Sequence, residues 1–222
     1  MFPLKDDNPV EKTPYVTLAI IIICTAIFLY QLSLSINENN IFIYDYGLKP
    51  KSLFLNNLIL LDTINPFLTI FTSMFLHGSF LHLLGNMLFL WIYGNNIEDA
   101  MGHYKFLLFY LVCGLAAALL QSFITPYSDI PMIGASGAVS AMVFARIIYA
   151  PLNKICLFAV LCFPGFILGV IFLIYSFTQG KNLSQNINHE AHLYGALYGI
   201  VFSIWLYPES ASIFLEKILS YS

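Results

Sequence analysis

Charge is what this chain has least of. Only 9% of its 222 residues are Asp, Glu, Lys or Arg, against about 25% in ordinary soluble domains. With 59% hydrophobic residues, one soluble core could not bury the apolar surface, so the bilayer has to be the solvent. A net charge of -3 gives no electrostatic footing for nucleic acid. Cysteine is scarce too: Cys24, Cys113, Cys156 and Cys162 all lie in apolar runs without metal-binding spacing, and read as small buried hydrophobes. No His-Glu-x-x-His occurs, so neither metal nor other cofactor is expected. Carboxylates are nearly missing from the apolar runs, which argues against a proton-relaying transporter with paired acids and bases. Residues 1–14 lack the basic start and prompt apolar run of a cleaved leader, and read as a short cytoplasmic segment.

Six apolar runs are present, at 15–35, 67–93, 105–124, 133–149, 155–177 and 189–207. They predict an all-α, polytopic membrane protein with six transmembrane helices in one domain over 15–207, followed by a cytoplasmic tail at 208–222. The second run exceeds the roughly 20 residues one span needs, and His77-Gly-Ser79 interrupts it. Segment 67–76 therefore reads as part of an outer first loop (36–78) lying in or on the membrane, with Ser79 as the N-cap of the helix proper. Six basic residues (Lys5, Lys12, Lys105, Arg146, Lys154, Lys217) fall on one side of the spans and three (Lys49, Lys51, Lys181) on the other. That bias favours cytoplasmic termini. Spans two, four and six then all start at the outer face, and His82, Ser136 and His192 lie within about two turns of those starts.

Each start carries a chemical fragment. Ser136 sits in Gly134-Ala-Ser136-Gly137-Ala138, where nothing bulky shields its hydroxyl. A helix N-terminus there leaves backbone N–H groups free for a developing oxyanion. The competing reading is helix packing through small residues. His192 is the candidate base, since an unperturbed imidazole titrates near pH 6.5 and intramembrane histidine is costly. Gly195 and Gly199 follow at i+3 and i+7, a smooth stripe for close approach to the serine helix. His189, nearer the water boundary, is the rival base. His82 and Asn86, at i and i+4, share one helix face and suit an oxyanion hole; helix gluing and metal binding compete. No acid is placed to complete a triad, so a Ser–His dyad fits better.

The stretches 71–91, His82-Leu-Leu-Gly-Asn86 among them, 94–102, Gly134-Ala-Ser136-Gly-Ala138 and Ala191-His192-Leu-Tyr-Gly195-Ala-Leu-Tyr-Gly199, in this order and spacing, resemble the bacterial rhomboid intramembrane serine proteases. The resemblance implies a six-helix rhomboid bundle in the inner (plasma) membrane. It implies Ser136 as nucleophile, His192 as general base, and His82 and Asn86 lining the oxyanion hole. His77 would organise the first loop and active-site water, and Glu98 would anchor the inner end of span two. Expected partners are single-pass membrane protein substrates and the lipid bilayer, with no cofactor. A silent relative that binds clients without cutting them is the alternative reading. The family's frequent Trp-Arg pair in the first loop is missing here, and His189-Glu190 replaces smaller or aromatic residues.

Overall fold

The computed structural model describes residues 11–54, 64–157, 161–164, 166–167, 170–171, 174 and 189–220. Helix α1 (Tyr15–Ser33) is followed by α2 (Ile36–Tyr46), α3 (Pro50–Phe54) and α4 (Pro66–Thr72), which ends in a 3₁₀ turn. Helices α5 (Phe80–Phe89) and α6 (Asn95–Met101) continue one another through a π turn at Leu90–Gly94. Then come α7 (His103–Ile124), α8 (Ser136–Tyr149), strands β1 (Lys154–Leu157) and β2 (Leu161–Pro164), α9 (His189–Leu206) and α10 (Glu209–Leu219). Among the described residues, α1 and α7 are long and apolar enough to cross a membrane. Pro66–Phe75 with Phe80–Met101 make a third candidate, bent by 79° at the break. That bend separates 67–76 from the span after it, at the place where His77-Gly-Ser79 interrupts the apolar run. The whole is a helical, polytopic membrane bundle.

Helix α7 supplies the middle of the core. Phe106, Phe109, Tyr110 and Cys113 are all fully buried, at the i, i+3, i+4, i+7 spacing of one helix face. Helix α8 lies against α5, α6, α7, α9 and α10. Its Ala138, Ala141, Met142 and Ala145 are buried, so small side chains let neighbours approach it closely. Cys24 and Cys113 are buried free thiols, as the sequence reading has them.

The start of α1 is fixed by another helix. Its N-cap is Pro14, which offers no side-chain acceptor, so the first-turn N–H groups need a partner elsewhere. Glu98 of α6 supplies it, accepting from Val16 N at 2.9 Å, Thr17 N at 2.8 Å and Thr17 Oγ1 at 2.7 Å. His103 Nδ1 lies 2.6 Å from the same carboxylate. A carboxylate at a helix N-terminus also meets the positive end of the helix dipole. Asp99 extends the junction, accepting from Lys12 N at 2.9 Å. Hydrogen bonds to charged groups are worth about 1.5–3 kcal/mol each, so Glu98→Ala is expected to remove about 3 kcal/mol or more. A thermal melt in detergent checks this, and an unchanged midpoint would leave the junction without energetic weight.

Two segments differ from the sequence reading. The expected outer first loop (36–78) contains α2, opened by a capping box in which Ser35 and Glu38 bond reciprocally. Ser-x-x-Glu is the known signature of such a start. The fifth span, expected from 155, is preceded by an antiparallel hairpin whose register runs from Lys154↔Pro164 to Leu157↔Leu161. Proline disfavours a helix at Pro164, and residues such as Ile155 and Phe163 suit strands. Most of 165–188 lies outside the described residues.

Candidate active site

The site is assembled around Gly134. Its φ is +119°, a conformation that side-chain-bearing residues rarely adopt. A Cβ there would also stand 2.7 Å from His82 Nε2 and 3.8 Å from Asn86 Nδ2. Gly134 is therefore needed both for the turn into α8 and for contact with the α5 side chains. Its N–H donates to Ser73 O at 2.8 Å, which fastens the turn to the first loop. The bridge between Leu48 and Met132 fastens it a second time.

Helix α8 then begins at Ser136, with Ala135 as N-cap and no side-chain cap. The first intrahelical bond runs from Val139 N to Ala135 O. The N–H groups of Ser136, Gly137 and Ala138 thus have no intrahelical acceptor, and the helix dipole favours negative charge beside them. Ser136 is half-buried.

Ser79 caps α5, accepting from His82 N at 3.2 Å, which sets His82 in the first turn. His82 Nδ1 faces Gly78 N at 3.5 Å, and Nε2 is the ring nitrogen nearest Gly134. One turn on, Asn86 Nδ2 donates to His82 O at 3.1 Å. Its second N–H stays available on the Gly134 side.

His77 is buried, with its ring edge-on to His82 at a centroid distance of 5.1 Å. Neither ring nitrogen has a partner among the described residues. Its backbone is gripped by Gln31 of α1: His77 N donates to Gln31 Oε1 and Gln31 Nε2 donates to His77 O, both at 3.2 Å. Sequence reasoning missed Gln31. The signal was there, because a lone amide inside an apolar span requires a partner.

His192 is placed by the glycine stripe. A Cβ on Gly195 would run into the Gly137 carbonyl oxygen, and one on Gly199 into the Ala141 backbone. Both contacts advance by four residues, so α8 and α9 run parallel in one fixed register. His192 lies three residues before Gly195, on the stripe's face. Ser203 continues that face, buried and donating to Gly199 O. The side chains of His189 and Glu190 lie outside the described residues.

His82 and Asn86 lie beside Gly134, two residues before Ser136, and His192 lies three residues before Gly195 on the helix that packs against α8. Glu98 lies at the other end of the bundle, binding the start of α1. Among the described residues, no cluster of His, Cys, Asp or Glu is arranged to hold a metal.

The fold and the placement of these residues define a polytopic membrane protein with a polar site inside its helix bundle. Residues 65–209 match the Rhomboid domain, and the chain belongs to the rhomboid family. It is 26% identical over 211 residues to rhomboid protease AarA of Providencia stuartii, covering 85% of this chain and 71% of that protein. It is 30% identical over 157 residues to the chloroplastic rhomboid-like protein 11 of Arabidopsis thaliana, covering 66% and 54%. The human mitochondrial presenilin-associated rhomboid-like protein is 28% identical over 149 residues, covering 58% and 35%. The chain thus spans about a third to a half of the length of several curated relatives it matches.

Proposed function

We propose that this protein is an intramembrane serine endopeptidase that cuts single-pass membrane proteins in or beside their transmembrane segments. The observation that carries the reading is the His82 ring nitrogen beside Gly134, with the unsatisfied N-terminus of α8 just after it and His192 on the helix whose glycines pack against α8. A polar set of this kind is costly inside a bilayer, and its members have matching chemical roles. Ser136 Oγ attacks the scissile carbonyl while His192 takes its proton. The tetrahedral oxyanion is held by the Ser136 and Gly137 N–H groups, with His82 Nε2–H and Asn86 Nδ2 as side-chain donors. His192 gives its proton to the departing amine, and a water activated by the same imidazole releases the acyl chain. His77 holds that water close to the site, and Gly195 and Gly199 keep the base beside the nucleophile.

We place the protein in the inner (plasma) membrane of a bacterium with both termini cytoplasmic, from the excess of basic residues on that side. The site then faces outward, at a depth that water reaches.

The test is cleavage of a model single-span protein in liposomes, paired with fluorophosphonate labelling. Wild type, Ser136→Ala and His192→Ala are compared after confirming equal folding. Cutting and labelling should be lost together in both variants. A wild-type protein that is folded yet neither cuts nor labels would turn the reading toward a client-binding relative. Asn86→Ala should slow cleavage by about 10²–10³, the typical worth of one oxyanion donor. Measured turnover no slower than wild type would remove Asn86 from the oxyanion hole.

A further inference from the structure

Cys156 and Cys162 sit on facing strands of the β1–β2 hairpin, and the register makes them direct partners. The Cα atoms of directly opposed antiparallel residues are about 4.5–5.5 Å apart. A disulfide needs about 4.4–6.8 Å, so the register alone brings the pair within bonding range. Because side chains alternate along a strand, Cys156 and Cys162 share one face of the ribbon, and Ile155, Leu157, Leu161 and Phe163 take the other. Lys154 shares the cysteines' face, and a cation near a thiol favours the thiolate, the form that attacks a disulfide.

Two observations outside the strands hold this register. Just beyond the hairpin, Phe166 N donates to Pro151 O at 3.1 Å, which closes its base. The Phe166 ring packs against the cluster of Phe144, Ile147 and Ala196 on α8 and α9. The hairpin follows the C-terminal end of α8, about 20 Å along that helix from Ser136, so it is clear of the candidate active site. A two-stranded ribbon also leaves two edges of unpaired backbone groups, which hydrocarbon does not tolerate. The strands therefore lie on the water side, and Lys154 is exposed. Thiols there can meet soluble reagents, whereas Cys24 and Cys113 are buried in the bundle.

We propose that Cys156 and Cys162 form a reversible dithiol–disulfide site, oxidised by a small-molecule disulfide of the glutathione class. One cysteine thiolate attacks the reagent's S–S bond and expels a glutathione thiolate, leaving a mixed disulfide. The second attacks the protein sulfur of that bond and expels the other glutathione. Two protein thiols are oxidised, one disulfide is reduced to two thiols, and the two protons pass to the departing glutathiones. On the orientation proposed above the hairpin faces the cytoplasm, where glutathione keeps the pair reduced at rest. The pairing itself rests on the register and does not depend on orientation or on proteolysis.

The test uses the full chain in nanodiscs, equilibrated with oxidised glutathione, quenched in acid, unfolded, alkylated and digested for mass spectrometry. The segment 156–162 should lose two hydrogens and both alkylation sites, and regain them in excess reduced glutathione, while Cys24 and Cys113 stay open to alkylation. Cys156→Ser should instead trap Cys162 as a lasting glutathione adduct. Combining Leu161→Cys with Cys162→Ser moves one thiol by a single position, to the opposite face, and should give separate glutathione adducts without an internal bond. Two free thiols or two separate adducts in wild type would overturn the proposal. An internal bond formed equally well in the shifted variant would also overturn it, since a loose chain and not the register would then be joining the pair.

Discussion

Ser136→Ala is expected to eliminate cleavage while leaving the fold untouched. The side chain is half-buried at the first position of α8, and alanine fits the space and suits a helix better than serine. The melting midpoint should therefore stay where it is or rise slightly. Chemistry is another matter. In a soluble serine protease, loss of the nucleophile costs on the order of 10⁶ in kcat, and no neighbouring side chain here offers a substitute. Residues 134, 135, 137 and 138 are glycine or alanine. Cleavage of the liposome substrate should fall to background and fluorophosphonate labelling should disappear. Labelling that persists in the variant would mean that another residue is the nucleophile.

Gly195→Ala should be nearly as damaging, for a mechanical reason. The added Cβ would run into the Gly137 carbonyl oxygen, a backbone atom that cannot rotate away, so α9 must move off α8. Overpacking of this kind costs about 1–3 kcal/mol. The displacement matters more than the strain, since a misplacement of about 1 Å between reacting groups costs on the order of 10² in rate. Gly85→Ala is the control, because a Cβ there meets nothing within 4 Å and the better helix propensity of alanine should raise stability by about 0.5–1 kcal/mol. The pair separates helix contact from helix propensity, since both glycines are helical. A Gly195→Ala enzyme with full activity would mean that α8 and α9 do not meet as described.

Much of this arrangement is legible in the sequence because it rests on local rules. Ser79 as N-cap, the i, i+4 pairing of His82 with Asn86, and the glycine stripe after His192 are all spacing effects on single helices, and each has its geometric counterpart. What the sequence does not disclose is non-local. Nothing near Tyr15 says that Glu98, more than eighty residues away, will cap α1, although the resemblance gives Glu98 an anchoring role. Gln31 and His77 each stand out as polar residues in apolar runs, but nothing local says that they grip one another across 46 positions. The hairpin at Lys154–Pro164 was hidden for the opposite reason: an apolar run of helix length masks a break that only Pro164 betrays, and hydropathy alone does not weigh it.

The parallel contact of α8 with α9 bears on how such a protein must move. Two helices that touch through Gly137, Ala141, Gly195 and Gly199 have no side-chain layer between them, so a shift of one against the other meets backbone at once. Ser136 and His192 are carried by these two helices. Whatever displacement admits a polypeptide to the site can then occur elsewhere in the bundle and leave their mutual spacing as it was. On the proposed reading as a serine protease, each cycle would then begin without a separate step that brings the two helices together.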